Sequence, residues 1–204
     1  MVLPFIFWQQ QPCHEPAMIK ICLAAYHGFD EHEYARWLYG VMGDMPHRFS
    51  VEKGALVFMN RNRAFLKDGI DGYDYFLSVD TDIRFTADHV KRLIDDDLDI
   101  VSGAYVFRGQ PGYYCANWQR DGVPGLVPTH EQGIAQVNTS GAGFLLMRQS
   151  VVSALGPLLF RHEFVTDENG NEDQTGEDSG FSIHAMRHGY KQFIDCDCVV
   201  EHLI

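Results

Sequence analysis

The stretch Tyr73-Asp74-Tyr75-Phe76-Leu77-Ser78-Val79-Asp80-Thr81-Asp82 decides the fold prediction. Its bulky apolar centre predicts a strand over residues 73–79 that is buried on both faces. The strand ends at Asp80 and Asp82, and open parallel sheets bind ligands beyond the carboxyl ends of their strands. Carboxylates at i and i+2 of an extended chain point the same way, so both can bind one hard cation such as Mg²⁺ or Mn²⁺. A turn that starts the next helix is the structural alternative.

The segments around this strand alternate between strand and helix patterns. Together they predict an α/β, Rossmann-like fold with a mostly parallel central sheet flanked by helices, because successive parallel strands need helical crossovers. Asp30 and Thr86 are the expected N-caps of two of the helices. Strands are predicted over residues 19–25, 49–57 and 100–107, and helices over residues 31–42 and 60–67 and after Thr86, where the buried stripe is Val90, Leu93, Ile94 and Leu98.

The second half of the chain is less regular. Residues 103–143 are rich in Gly, Pro and aromatic residues, which predicts loops and short antiparallel strands that line a binding surface. An acidic segment, 167–178, comes before the last helix. No repeat or linker divides the chain, so we expect a lead-in at residues 1–17 and one domain at residues 18–204. The remaining elements are predicted as strands over 144–147 and 192–200 and helices over 149–155 and 179–188, the last ended by Gly189.

Charge and cysteine content limit the function classes. With 16 basic and 28 acidic residues among 204, the net charge is −12, which excludes nucleic acid as a general partner. An acidic protein can still bind an anion through a divalent cation. The odd number of cysteines, five, suits free thiols in a reducing compartment and predicts a cytoplasmic location. The apolar stretch 2–8 is too short for a membrane span and lacks a basic flank, so no integral membrane segment is predicted.

Other chemistry-bearing residues each have two interpretations. Glu177 and Asp178 precede a predicted helix, where they can cap free amides or act as a general base. His202 can bind a metal or be structural. Arg61 and Arg63 lie at a predicted helix start, where they can bind phosphate or form a solvated face. Buried thiols explain Cys196 and Cys198 better than a zinc site does, and the aromatic residues Tyr113, Tyr114 and Trp118 can stack on sugars or pack internally.

Taken in order, these segments resemble GT-A glycosyltransferases of the family 2 type over residues 19–203. Each match is short, but they follow the order of the family. One departure is the loop after the first strand, where Ala24-Ala25-Tyr26-His27-Gly28 replaces the commoner Pro-x-Tyr-Asn. The matching stretches are residues 19–26, Arg61-Asn62-Arg63, residues 73–82 with the DxD motif, residues 99–105, residues 140–147, Gly176-Glu177-Asp178 through Tyr190, and His202.

The resemblance implies a metal-dependent enzyme that moves a sugar from a nucleoside diphosphate sugar to a glycan or other hydroxyl acceptor, with inversion. A UDP-sugar is the favoured donor and a GDP-sugar the second choice. Asp178 is then the base, supported by Glu177. Mn²⁺ or Mg²⁺ is held by Asp80, Asp82 and His202, with Asp82 the stronger ligand and Asp80 able to contact the ribose. The donor-binding residues are Tyr26, Arg61, Arg63, Asp80, Ser140 and Gly141.

Three other functions compete with this hypothesis. A phosphohydrolase of the haloacid dehalogenase type also has Asp-x-Asp after an apolar strand, but Arg84 stands where that family has Thr or Val. A nucleotidyltransferase would need a Gly-rich loop with a basic residue after the first strand, which residues 25–30 do not provide. A non-catalytic sugar-binding module would fit the aromatic segment 105–118.

Overall fold

The computed structural model describes residues 16–166 and 170–203. Most of the predicted lead-in, Cys13 and Asp167 lie outside the described residues. The described elements begin with strand Ile19–Ala25 (β1), helix Glu31–Met42 (α1), strand His47–Lys53 (β2), helix Val57–Leu66 (α2), strands Tyr75–Asp80 (β3) and Ile83–Arg84 (β4), helix Ala87–Asp95 (α3) and strand Ile100–Ala104 (β5).

The second half adds a block of short strands and two further helices. The strands are Val106–Phe107 (β6), Gln110–Arg120 (β7), Val123–Pro128 (β8), Ile134–Val137 (β9), Thr139–Ser140 (β10) and Phe144–Arg148 (β11), followed by helix Gln149–Leu155 (α4), strands Phe164–Thr166 (β12) and Glu172–Gln174 (β13), helix Glu177–Arg187 (α5) and strands Gln192–Val199 (β14) and Glu201–His202 (β15).

A central sheet of seven strands organises the described chain, in the order β2-β1-β3-β11-β5-β14-β9. The pairs β1–β2, β1–β3 and β5–β14 are parallel, whereas β11 pairs antiparallel with β3 and β5, and β9 with β14. The sheet is therefore mixed, and the prediction of a mostly parallel sheet is wrong. A buried strand has the same apolar pattern in either direction, so periodicity could not show that β11 runs backwards between β3 and β5.

The two faces of the sheet carry different helices. Ile21 and Leu23 of β1 pack with α1 and α3, while Cys22 lies on the opposite face with α2, α4 and α5. The alternation follows from the pleat, which turns successive side chains to opposite faces. Helices therefore cover both faces, as predicted, and the mixed α/β fold is confirmed at this level.

Lys20 anchors α2 to the sheet. Its buried Nζ donates to the carbonyl oxygens of Phe65 at 2.8 Å and Gly69 at 2.9 Å, and also to Lys67. These carbonyls belong to the end of α2, where helical carbonyls lack partners and a cation is favourable. Burial lowers the pKa of Lys20. The contact holds the C-terminal end of α2 against the sheet. Arg61 lies in the same helix, so this contact helps to position it.

Several helix predictions are confirmed and two boundaries are corrected. Helices α1 and α4 have the predicted bounds, and Asp30 Oδ1 accepts from the Glu33 amide at 2.9 Å as an N-cap. Strand β2 ends at Lys53 and α2 begins at Val57, so residues 60–63 lie inside a helix rather than at its start. Their amides are used in the helix and offer no anion site. Helix α5 begins at Glu177, two residues before the predicted start.

The predicted antiparallel segment is present as a second layer. Strands β6, β7 and β10 form an antiparallel sheet, with β8 also paired to β7. A small core between this layer and β14 includes Tyr114, Val127 and Cys196. The four described cysteines, Cys22, Cys115, Cys196 and Cys198, are free thiols. Within the described residues, no helix combines the length and apolar character needed to cross a membrane.

Candidate active site

A cleft of about 230 Å³ lies beyond the carboxyl end of β3. Its walls come from β3, α2, the first turn of α5 and the turn between β6 and β7. Tyr26, which follows β1, is 62% exposed at its edge. The lining residues include Tyr26, Arg61, Asp80, Asp82, Arg108, Glu177 and Asp178.

Asp80 is paired with a buried arginine at the base of the cleft. Arg61 Nη2 donates to Asp80 Oδ1 at 2.7 Å. Arg61 Nη1 donates to Ser78 Oγ at 3.0 Å and to the Ala142 carbonyl at 3.2 Å. The Arg61 side chain is 3% exposed, and its Nη atoms contact these protein partners, while its buried Nε has no hydrogen-bond partner in the described chain. Arg61 therefore lines the base of the cleft beside Asp80, whereas Arg63 is exposed and is not among the described residues that line the cleft.

His202 faces Asp82, one of the residues that line the cleft. Strand β15 pairs antiparallel with β4, which brings His202 opposite Ile83 and its Nε2 to 3.4 Å from Asp82 Oδ2. His202 Nδ1 lies 2.9 Å from the Val106 carbonyl oxygen. A carbonyl can only accept, so His202 Nδ1 carries a proton and donates to Val106. Nε2 is then the ring nitrogen that faces Asp82 Oδ2, and in a neutral imidazole its lone pair could share a cation with the carboxylate.

Asp82 and His202 are the described residues at this place that could share a divalent cation. Within the described residues no group of three or more His, Cys, Asp or Glu side chains is arranged to hold a metal. Mg²⁺ and related ions are commonly held by one or two protein ligands together with substrate phosphates. The backbone contact at His202 Nδ1 is the arrangement that orients a ligating imidazole. Asp82 and His202 are thus the candidate ligand pair. Both aspartates accept from an arginine at 2.7 Å, Asp80 from the buried Arg61 and Asp82 from the exposed Arg108.

Asp178 lies in the first turn of α5 with an unpaired oxygen. Its Oδ1 is buried and has no hydrogen-bond partner among the described residues. Burial raises the pKa of Asp178 to about 6, Arg61 opposes this rise, and Glu177 and Asp80 add to it. A desolvated carboxyl with a raised pKa is suited to accept a proton near neutral pH. Glu177 Oε1 lies 3.9 Å from Arg61 Nε, in the same cleft.

A second cavity of about 180 Å³ shares Asp178 and Glu177 with the cleft. Its other walls are β7, β10 and the segment Ser140-Gly141. The wall at Ser140-Gly141 is closely packed. The Ser140 side chain is buried, and a Cβ on Gly141 would lie 2.1 Å from Tyr105 Oη and 2.8 Å from Cys115 Sγ. Gly141 is therefore required by close packing. Asp178 lies between two cavities, one on the Asp82 side and one on the β7 side.

The structure adds two residues that the sequence analysis did not select. Arg108 Nη2 donates to Asp82 Oδ2 at 2.7 Å. Buried Tyr105 accepts from the Gly143 amide at 2.9 Å through Oη, and its ring meets the His202 ring edge-on at 5.5 Å. Both lie in the irregular segment after β5, where no periodicity indicates which side chains turn toward the cleft. Their neighbours Phe107 and Gly109 signal a turn but not its direction.

No family model matches this chain, and no curated protein matches it. Its fold, however, is found among solved structures. One similar structure is that of a GT-A glycosyltransferase. The viral protein A197 from STIV superposes with a TM-score of 0.57 at 17% identity, over 92% of this chain and 86% of its own. GalNAc-T7, a GT-A glycosyltransferase solved with UDP, GalNAc and Mn²⁺, gives a TM-score of 0.55 at 9% identity over 94% of this chain.

This chain spans 44% of the GalNAc-T7 chain, less than half of its length. At these identities the similarity shows the fold. It supports the predicted fold family at the level of architecture, and the site residues rest on the geometry described above.

Proposed function

We propose that this protein is a metal-dependent glycosyltransferase. It transfers a sugar from a nucleoside diphosphate sugar to an acceptor hydroxyl with inversion, and a UDP-sugar is the first donor to test. The donor proposal is supported by the UDP, GalNAc and Mn²⁺ in the GalNAc-T7 structure. The GT-A-like fold supports the reaction class but leaves the chemistry to the site.

The orientation of His202 toward Asp82 carries this proposal. The Val106 carbonyl holds His202 Nδ1, so Nε2 is the ring nitrogen that faces Asp82 Oδ2, at 3.4 Å. With the ring neutral, this pair would hold Mn²⁺ or Mg²⁺, which supplies Lewis-acid stabilisation of the negative charge on a leaving diphosphate.

Asp178 takes the acceptor proton in the proposed reaction. The acceptor oxygen forms a bond to the anomeric carbon, the bond from that carbon to the diphosphate oxygen breaks, and the proton moves to Asp178 Oδ1. Attack on the face opposite the leaving group inverts the anomeric configuration. The position of Asp178 between the two cavities lets it face an acceptor while the donor occupies the Asp82 side. Glu177 keeps the local field negative and favours proton uptake.

The remaining candidates shape the donor site. Tyr26 lies exposed at the entrance, where it can contact the nucleoside, and Asp80 lies on the same wall, within reach of the ribose. Ser140 and Gly141 line the β7-side cavity next to Asp178, where the transferred sugar and the acceptor would meet. Arg61 acts as a positioning residue for Asp80, and the exposed Arg63 is assigned no contact in this proposal.

Nucleotide release from a panel of donors tests this function. UDP-, GDP- and TDP-sugars are incubated with the protein, with and without Mn²⁺, and the freed nucleotide is measured. We expect release from at least one donor, dependent on Mn²⁺ and lost in Asp82→Asn. Retained folding with no release from any donor would overturn the glycosyltransferase proposal. Sugar binding that survives Asp82→Asn without turnover would favour the non-catalytic binding module.

A further inference from the structure

The cleft is lined by several carboxylates and by few cationic side chains that could bind a diphosphate. Asp80, Asp82, Glu177 and Asp178 all line the cleft, and they are four carboxylates. Arg61 is buried and its Nη donors are used within the protein. Of the described lining residues, the exposed cation is Arg108, whose side chain is 63% exposed.

Arg108 lies on a short hairpin with an anchored base. The Arg108 hairpin consists of Val106–Phe107, the turn at Arg108 and Gly109, and the start of β7 at Gln110. Gly109 has a φ of +83°, which lets the chain reverse tightly. The Val106 carbonyl accepts from His202 at the base of the hairpin. The anchor fixes the backbone beside the cleft, while the long Arg108 side chain remains free to change partners.

Arg108 and a divalent cation compete for the same carboxylate oxygen. Arg108 Nη2 donates to Asp82 Oδ2, the atom that also faces His202 Nε2. A cation bound by Asp82 and His202 would draw on this oxygen and repel the guanidinium. A planar guanidinium released beside the cleft is well suited to a diphosphate, because its parallel donors match the phosphate oxygens.

We propose that Arg108 exchanges Asp82 for the diphosphate of the donor and is the exposed diphosphate-binding arginine of this site. In the free protein, Arg108 neutralises Asp82. With donor and metal present, it binds the diphosphate and stabilises the charge that develops on the leaving group. This inference rests on the proposed function, because it requires a nucleoside diphosphate ligand in the cleft.

Two binding measurements on Arg108→Ala test the exchange. The affinities for UDP and GDP, measured by calorimetry with Mg²⁺ present, are expected to fall about tenfold or more, because charge-assisted hydrogen bonds to phosphate are lost. Binding of uridine and guanosine, which lack phosphate, is expected to stay within twofold of wild type. Mn²⁺ alone, followed by electron paramagnetic resonance, is expected to bind severalfold more tightly because Asp82 loses its competitor. Arg108→Lys should fall between wild type and Arg108→Ala for the diphosphates.

Arg120→Ala is the matched control. Arg120 is also an exposed arginine on β7 with a carboxylate partner, since its Nη2 lies 2.8 Å from Glu131 Oε1, outside the cleft. Its affinities for UDP, GDP and Mn²⁺ should equal those of wild type. Unchanged UDP and GDP affinities in Arg108→Ala would overturn the exchange, even if Mn²⁺ binding tightened. A folded wild-type protein that binds no nucleoside diphosphate would overturn the proposed function, and this inference with it.

Discussion

The carboxyl end of β3 and the N-terminus of α5 each place an aspartate in the same cleft, in opposite environments. Asp80 Oδ1 accepts from the buried Arg61 guanidinium at 2.7 Å, whereas Asp178 Oδ1 is buried without a partner in the described chain. Asp80 is paired with a cation, whereas burial raises the pKa of Asp178 to about 6 and favours its protonated form. In the proposed reaction the two regions therefore have different roles: β3 organises charge, and α5 provides the proton acceptor.

The largest expected effect is the loss of the proton acceptor on α5. Asp178→Asn keeps the shape of the side chain but cannot take a proton, so kcat for sugar transfer should fall by about 10²- to 10⁴-fold. Donor affinity, measured separately by calorimetry, should change little. Asp173→Asn, an exposed carboxylate on β13, is the control and should transfer at the wild-type rate. Near wild-type transfer by Asp178→Asn would remove the distinction between the two regions and point to another base or to a retaining reaction.

The rate of sugar transfer should depend on pH through Asp178 in α5. Because the pKa of Asp178 is raised to about 6, transfer should fall about tenfold per pH unit below pH 6. The folded protein binds the Asp178 proton more tightly than the unfolded chain does, because the pKa is higher in the folded state. The stability that this carboxyl contributes is therefore complete below its unfolded pKa, about 3.9, and is lost as the pH rises through about 6. Asp178→Asn has no carboxyl to ionise, so its stability does not fall in this way.

Chemical denaturation measures this stability difference. Relative to wild type, the free energy of unfolding of Asp178→Asn should rise by about 1 to 3 kcal/mol between pH 4.5 and pH 8. The Asp173→Asn control should show no such rise. An equal difference between Asp178→Asn and wild type at both pH values would show that burial does not raise the pKa of Asp178.

A smaller effect is expected in the segment that joins the two regions. The Gly143 carbonyl accepts from the Asp80 amide at 3.0 Å, and a Cβ on Gly141 would overlap Tyr105 Oη. Gly141→Ala should lower the free energy of unfolding by about 1 to 3 kcal/mol, as overpacking does. In a double-mutant cycle, Gly141→Ala should cost less in a Tyr105→Phe background, because the clashing oxygen is absent there. Tyr105→Phe alone measures the loss of the hydrogen bond from the Gly143 amide. Thermal denaturation of the single and double variants measures both effects.

Gly112→Ala is the control for this comparison. Gly112 lies on β7, and a Cβ there would meet nothing within 4 Å. Its melting temperature should stay close to that of wild type. Equal melting temperatures for Gly141→Ala and Gly112→Ala would show that the Ser140-Gly141 segment tolerates a side chain and does not couple the two regions.

The regular half of the fold could be predicted because its elements are buried and periodic. The apolar run of β1 and the spacing of Tyr34, Leu38 and Met42 in α1 leave little choice of element. The direction of β11 could not be predicted, since it depends on how the chain returns through the irregular segment after β5. The mixed sheet is therefore a property of tertiary packing, which local pattern does not encode.

The site could be predicted in part. The sequence points to Asp82, His202 and Asp178. In the structure, Asp82 and Asp178 line one cleft, and His202 Nε2 lies 3.4 Å from Asp82 Oδ2. The burial of Arg61 could not be predicted, because the sequence pattern indicates a helix from Asn60, whereas α2 begins at Val57. The contact of Arg108 with Asp82 could not be predicted either, since a lone arginine in a loop has no periodicity and Asp82 is 26 residues away.

Mn²⁺ binding in the presence of UDP tests the central claim most directly. Electron paramagnetic resonance titrations compare wild type with Asp82→Asn and His202→Gln, and with Asp71→Asn, an exposed carboxylate in the loop before β3, as control. We predict one Mn²⁺ per chain in wild type and Asp71→Asn, and an affinity at least tenfold weaker in Asp82→Asn and His202→Gln. Equal Mn²⁺ affinity in all four proteins would contradict the claim that Asp82 and His202 form a metal site.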